Sequence, residues 1–315
     1  MEQVQLGRSG IAVPPVIFGC NIFGWTVDKA QTFRLLDALV DLGLNALDTA
    51  DVYSYWVPGN QGGESEALMG EWLKARGRRG DVLIFSKGGI EMPGKGKGLS
   101  AAWLNQAVED SLRRLGTDVI DLYQTHRDDE VTPLAETLGA LDGMIKAGKV
   151  RAVGASNVSV VRFQEALAVS AKEGLPRYET MQPQYNLMER GIEADLLPAC
   201  AEAGVAVIPY YSLASGFLSG KYRTEADLGK SPRGTRGAGK YLDAKGLRVL
   251  AALDAVSARY SATPAQVALA WLRARPGTVV PIASATTLEQ LADLAKAAAL
   301  RLDAEAVQML DAASA

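Results

Sequence analysis

Short apolar runs alternate with longer segments of helical period along almost the whole chain. The first run, residues 16–19, is followed at 29–42 by a segment that places Leu36, Leu39 and Val40 on one face and stops at Gly43. The pair then recurs. Residues 45–48 precede a helix over 66–76 with Leu68, Trp72 and Leu73 inward. Residues 82–86 precede a helix capped by Ser100, with Leu104, Val108, Leu112 and Leu115 on one stripe. The run at 119–123 precedes a helix whose start reads as Thr132 at the cap and Pro133 at the first turn. Runs at 150–155 and 179–182 lead to helices at 160–173 and 193–203, and 205–209 is the seventh apolar run.

The seventh helix comes late. Residues 219–246 are rich in Gly, Lys and Arg and too long for an ordinary connection, so they read either as a mobile lid or as a disordered bystander. An extra helix is predicted over 247–260. Thr263 to Gln266 spells a capping box with Pro264 at the first turn, opening a helix to Ala274. Residues 278–282 and 288–299 form the eighth strand and helix, and a short helix over 304–310 closes the chain. Residues 4–13, punctuated by Gly7 and Gly10, read as a hairpin. Eight alternations of this kind predict an α/β fold, a (β/α)₈ TIM barrel with an N-terminal β-hairpin, as one domain over 1–315. An open doubly wound sheet usually carries GxGxxG after its first strand, and Gly19 is followed instead by Cys-Asn-Ile-Phe-Gly.

Composition narrows the chemistry. Of 315 residues, 48% are apolar, enough for a large core, and 33 basic against 36 acidic side chains give a net charge of −3. That balance, without one-sign blocks, gives no reason to expect a nucleic-acid or anionic-membrane partner, and the basic cluster at 74–79 reads as a solvated helix end. Cys20 and Cys200 stand alone, without CxxC spacing or neighbouring metal ligands, so neither a disulfide scaffold nor a metal site is expected. The start lacks the layout of a signal peptide and no run approaches a membrane span, which predicts a soluble, cytoplasmic chain.

In a parallel barrel every strand's carboxyl end points to one face, where active sites sit. Asp48, Lys87 and the only histidine, His126, end the second, third and fourth strands, and Tyr53 follows the second by five residues. Taken singly they are ordinary: a loop acceptor, a partner for a carboxylate, a structural histidine, a packed aromatic. Together, on strands about 4.8 Å apart, they can converge. A lysine beside a tyrosine favours phenolate, and a carboxylate on the lysine holds it in place. The product is a tyrosine expected to exchange a proton nearer neutral pH, with the histidine orienting a carbonyl oxygen. Asp51, between Asp48 and Tyr53, reads as a surface or loop-capping carboxylate.

The chain resembles the aldo-keto reductase superfamily over essentially its whole length. The matching pieces are GCNIFG at 19–24, LDTADVYS at 47–54, SKG at 86–88, LRRLGTDVIDLYQTH at 112–126 and GASN at 154–157. They continue with QPQYNL at 182–187, SLASGFLSGKY at 212–222 and AQVALAWL at 265–272. The family's Asp, Tyr, Lys and His tetrad falls on Asp48, Tyr53, Lys87 and His126. The resemblance implies hydride transfer between NADP(H) or NAD(H) and an aldehyde or ketone. It places Ser156, Asn157 and Gln182 on the nicotinamide carboxamide, Tyr210 against its ring, and Leu213, Ser215, Gly216 and Leu218 along the pyrophosphate. Gly19 and Asn21 fall at the same mouth.

At the family's usual 2′-phosphate position this chain offers Ser284, Ala285, Thr286 and Gln290, with no cation between Arg275 and Lys296, and Leu294 where an adenine contact is expected. NADP(H) leads by a small margin and NAD(H) stays open. Trp25, Tyr55 and Trp56 are expected to line a substrate pocket for aromatic or sugar-like aldehydes, or to be packing aromatics. GIEMPGKG at 89–96 falls short of a P-loop and reads as a flexible connection. Two other functions stay open: a cofactor-binding redox-sensing subunit, and a lyase forming a Schiff base on Lys87. The oligomeric state is not legible.

Overall fold

The computed structural model describes residues 2–92 and 94–315. It contains an antiparallel hairpin, β1 (Val4–Gln5) with β2 (Ala12–Val13), and an all-parallel eight-stranded sheet. The sheet strands are β3 (Ile17–Gly19), β4 (Ala46–Asp48), β5 (Leu83–Gly88), β6 (Ile120–Thr125), β7 (Val150–Ser156), β8 (Thr180–Gln182), β9 (Ala206–Val207) and β10 (Ile282–Ala283). Their order is β10-β3-β4-β5-β6-β7-β8-β9. Val207 N–H donates to Thr278 O at 2.8 Å and Val280 N–H to Val207 O at 2.9 Å, so the last strand also meets β9 and the sheet closes on itself. This is the (β/α)₈ barrel that the alternation predicts.

Helices follow the strands in turn: α1 (Lys29–Asp41), α2 (Glu64–Arg76), α3 (Ala101–Leu115), α4 (Leu134–Lys146), α5 (Val160–Glu173) and α6 (Leu196–Ala203). Next come α7 (Ala244–Tyr260), α8 (Pro264–Arg273), α9 (Leu288–Ala299) and α10 (Ala304–Ser314). Local chemistry sets their starts. The side chains of Asp28, Ser100, Ser159 and Thr287 accept from backbone N–H groups of the first turns of α1, α3, α5 and α9, and Thr263 and Gln266 form the reciprocal box that opens α8. The start of α4 differs from expectation. Pro133 is the cap and Thr132 donates its hydroxyl to Asp129 Oδ2 at 2.6 Å, because Asp129 gathers this loop through several further N–H bonds.

The core has two layers. Ile17, Ala46, Phe85, Leu122, Ala152, Ala206, Ile208, Val280 and Ile282 fill the barrel, and Leu6, Ile11 and Val13 of the hairpin pack onto them. A larger shell of apolar side chains lies between the sheet and the helices. The hairpin therefore plugs the barrel and leaves the opposite, carboxyl-end mouth for the functional groups. Along β5 and β6 the alternation assigns faces: Phe85 and Leu122 point into the barrel, whereas Tyr123 joins the outer shell.

Residues 219–246 are neither structureless nor a bystander. A 3₁₀ turn (Ala214–Ser219) leads into further short turns at Glu225–Lys230 and Gly239–Tyr241 and a π turn at Gly234–Ala238. Ala238 and Tyr241 are buried in the outer core, and Tyr222, also buried, bonds Ser231 at 2.6 Å. The segment is a built wall over one side of the barrel mouth. The stretch 89–96 includes Pro93, outside the described residues. Around it Met92 N–H and Gly96 O close a small loop at 2.8 Å. Among the described residues no helix is long and apolar enough to cross a membrane. Cys20 and Cys200 are both buried free thiols.

Candidate active site

Asp48, the last residue of β4, is buried, and its carboxylate holds two partners. Oδ2 accepts from Lys87 Nζ at 2.7 Å and Oδ1 from Gln182 Nε2 at 3.0 Å. Lys87, fully buried on β5, also donates to Thr49 O at 2.6 Å. Its ammonium lies 4.9 Å from the centroid of the Tyr53 ring. The Tyr53 and His126 rings meet edge-on with centroids 6.0 Å apart. His126 is fixed by its backbone, whose N–H donates to Gly88 O at 2.8 Å, and by Asn157 Nδ2, which donates to His126 O at 3.1 Å. The four groups, picked from three strand ends and the turn after the first of them, share one site.

The electrostatics differ from expectation at one point. Burial, then the Asp48 charge, holds the Tyr53 phenol well above its ordinary range. The lysine does not reverse this, because its ammonium is engaged by Asp48 and the Thr49 carbonyl. Tyr53 is thus a protonated phenol across the neutral range, suited to giving a proton. Burial, with Lys87 and Arg127 nearby, holds His126 well below the usual imidazole range, so it is neutral and keeps one N–H to donate.

Asp48, Tyr53 and His126 form one wall of a cavity of about 850 Å³, with Lys87 behind them. Gly19, Asn21, Ser156, Asn157, Gln182 and Tyr210 line it beside them, and Leu213, Ser215, Gly216, Ser284, Thr286 and Gln290 line it further out. The polar residues are interlocked. Ser156 Oγ donates to Gln182 O at 2.8 Å, Asn157 Nδ2 to Ser156 Oγ at 3.0 Å, and Tyr210 Oη to Asn157 Oδ1 at 2.7 Å. Ser284 Oγ donates to Gly19 O at 2.7 Å, and Thr286 N–H to Gln290 Oε1 at 2.9 Å. Ala214, Ser215 and Gly216 have φ of 48°, 58° and 90°, a left-handed run that turns the chain along the cavity edge.

Other expected residues lie elsewhere. Leu218 is wholly buried in the outer core and does not line the cavity. Trp56 lines it, whereas Trp25, which packs edge-on against Trp56 at 5.7 Å, and Tyr55, which is exposed, do not. Asp51 is the clearest departure: it is fully buried, not at the surface.

The cavity also holds cations that no β10 residue supplies. Lys221, Lys230 and Arg233, from the segment after β9, line it. Arg233 donates to Asn21 Oδ1 at 3.1 Å and stacks 5.6 Å from the Trp25 ring; among the described residues it has no carboxylate partner. The Gly, Lys and Arg richness of 219–246 was the only sequence signal for them.

The sequence matches known proteins along nearly its whole length. The family model described as Aldo/keto reductase family matches residues 15–315. An uncharacterized oxidoreductase of Bacillus subtilis, YrpG, is 34% identical over 99% of this chain and 95% of its own length. Versiconal hemiacetal acetate reductase of Aspergillus parasiticus is 28% identical over 99% and 96%. A putative aryl-alcohol dehydrogenase of Schizosaccharomyces pombe is 29% identical over 97% and 93%. The chain belongs to the aldo/keto reductase family. It is an NAD(P)H-dependent oxidoreductase of carbonyl compounds.

Proposed function

We propose that this enzyme reduces an aldehyde or ketone with Tyr53 as the general acid. The observation that carries the reading is the Asp48–Lys87 pair under the Tyr53 ring, with neutral His126 beside it, where Asp48, Tyr53 and His126 line one large cavity. A nicotinamide cofactor fits that cavity by the chemistry of its lining. Gln182 keeps its Oε1 as an acceptor for a carboxamide once its nitrogen is bonded to Asp48, Ser156 and Asn157 stand next to it, and Tyr210 offers an aromatic face. When bound, that cofactor supplies the hydride.

The chain's own groups manage the proton. Tyr53 holds it on a desolvated phenol, ready for an oxygen that gains negative charge. Lys87 and Asp48 keep a fixed dipole under the ring, so a phenolate left after transfer faces an ammonium. His126 donates its imidazole N–H toward the same oxygen and orients it. Both of the Lys87 bonds, with no exposure to solvent, favour this role over a Schiff-base amine. Nothing in the described residues favours a purely sensing role over turnover.

For the cofactor we favour NADP(H). Lys230 is already paired with Asp227, but Lys221 and Arg233 also line the cavity, and a half-buried guanidinium without a carboxylate partner among the described residues suits an anion. Asp293 favours the second reading, NAD(H): it lines the same cavity, and a carboxylate there suits a ribose hydroxyl better than a phosphate. Trp56, with Trp25 behind it, favours flat aromatic carbonyl substrates, and the aryl-alcohol dehydrogenase relative has a name in keeping with that.

Two measurements test the reading. Tyr53→Phe is expected to lower kcat by about 10²–10⁴-fold while a fluorescence titration still reports cofactor binding. Turnover at the parent's rate sinks the assignment. The titration on the parent is expected to favour NADPH over NADH by at least about tenfold, the value of one well-made ionic contact of ~1.4 kcal/mol. Equal affinity favours the Asp293 reading.

A further inference from the structure

A second set of ionisable groups lies on the opposite, outer face of the strand that carries Lys87. Ser86, one residue before the lysine, points outward and donates to Glu66 Oε1 on α2. Glu66 Oε2 accepts from Arg114 Nε on α3 at 2.7 Å, and Glu66 is wholly buried. Against them lie Asp51, from the turn after β4, and the Tyr123 hydroxyl of β6. Gly88 marks their meeting point. A methyl group on its Cα would stand 2.2 Å from Tyr123 Oη and 3.3 Å from Asp51 Oδ2, so only glycine lets the two approach the strand here.

This compartment has one acid too many. Glu66 and Asp51 are both fully buried, and the one guanidinium present is bonded to Glu66. Among the described residues neither Asp51 oxygen nor the Tyr123 hydroxyl has a hydrogen-bond partner by distance and angle, and the Val52 peptide N–H, which favours the charged form, does not outweigh burial. A carboxylate without donors or a counter-ion is too costly to bury, whereas a carboxylic acid is not.

The backbone ties this acid to the tetrad. Asp51 N–H donates to Lys87 O at 3.0 Å, and Tyr53 N–H to Ala50 O at 3.2 Å, so one tight turn holds Asp51 on the outer face and Tyr53 on the inner one. We propose that Asp51 is a positioning residue that keeps its proton through neutral pH, seats the Tyr53 turn against Lys87 while neutral, and unseats it when it ionises. The proposal rests on the reading of Tyr53 and Lys87 as catalytic groups.

The charges facing Asp51 agree. Burial, then Glu66 on α2, raises its carboxyl to about 8, and Arg114 on α3 and Lys87 on β5 pull the other way without cancelling the rise. The Tyr123 phenol on β6, held well above its ordinary range by burial and by Asp51 itself, stays neutral and offers no charge. Once ionised, Asp51 needs water, and water is reached by moving the turn that carries Tyr53.

The test uses the intact enzyme. Infrared difference spectra between pH 6 and pH 9 are expected to show a protonated-carboxyl C=O band that disappears with the same midpoint as the alkaline limb of kcat/KM. In Asp51→Asn the band should be missing and the limb should move up by about one pH unit or more, a tenfold change in the proton concentration needed. A parent enzyme without the band, or a band that survives in Asp51→Asn, overturns the assignment of the proton. An alkaline limb unmoved in the variant, or separated from the band's midpoint in the parent, overturns the positioning role. If Asp51→Asn does not fold, the parent's two midpoints decide alone. The infrared result needs no turnover, so a failure of the Tyr53 mechanism is seen separately.

Discussion

The two faces of β5 carry polar clusters of opposite design. On the inner face Lys87 and Asp48 match one charge with one charge, and Gln182 and the Thr49 carbonyl complete their hydrogen bonds. On the outer face Glu66, Arg114 and Ser86 form a matched set, and Asp51 stands beside it without a donor. A buried pair tolerates charge because both ions are satisfied, whereas an odd carboxyl must stay neutral or move. The inner face can therefore hold a steady field for proton transfer at any working pH. The outer face can hold it only while one proton remains in place.

The contrast can be broken from either side. The largest effect is expected for Lys87→Met, which leaves Asp48 buried with a neutral amide as its remaining side-chain partner. Turnover should fall by at least about 10²-fold, and chemical denaturation should show a loss of about 3–5 kcal/mol. A variant with the parent's stability would mean the inner pair is not the matched set described. Arg114→Met comes next. It leaves two buried carboxyls and no cation on the outer face, so about 3 kcal/mol should be lost at pH 7.

The sign of that loss with pH is informative. Asp51 already holds its proton in the parent, so the pH dependence of the deficit comes from the charge that has lost its cation, and the native variant is expected to bind a proton that the unfolded chain releases above about pH 4. The deficit should shrink as pH falls toward that value and grow as it rises. Denaturation midpoints at several pH values check it, and a deficit independent of pH counts against the outer cluster. Ser86→Ala is the smallest perturbation. It removes a hydroxyl donor from the Glu66 carboxylate, worth about 1.5–3 kcal/mol, and leaves the inner face intact, so turnover should stay close to the parent's.

Much of the site was legible because its residues sit at places that a sequence marks. Asp48 ends β4, Lys87 lies next to last in β5 and His126 follows β6, each after an apolar run, and in a barrel those ends share one mouth. Ser156, Asn157 and Gln182 follow the same rule on β7 and β8. What the pattern could not show was direction and partner. Asp51 sits two residues before Tyr53 in a polar stretch that reads as surface, yet the turn drives it between α2 and β6. Leu218 falls in the expected motif, but the left-handed run before it sends its side chain into the core. The acidity of Tyr53 followed the same logic: adjacency of a lysine suggests an easily ionised phenol, and only the bond to Asp48 shows that lysine's charge to be matched.

By itself the sequence determined the barrel, the order of its helices and most of their caps, α4 apart, since these depend on periodicity and on bonds between residues a few positions apart. Asp28, Ser100, Ser159, Thr287 and the Thr263–Gln266 box each start a helix with the residues beside them. Tertiary structure alone decided where the charges face. Arg233 meets Asn21 across 212 positions, Gln182 meets Asp48 across 134, and Arg114 meets Glu66 across 48. Those encounters are set by the closure of the sheet and the packing of its helices. The same closure makes Asp48 one half of a buried pair and leaves Asp51, three residues on, holding a proton.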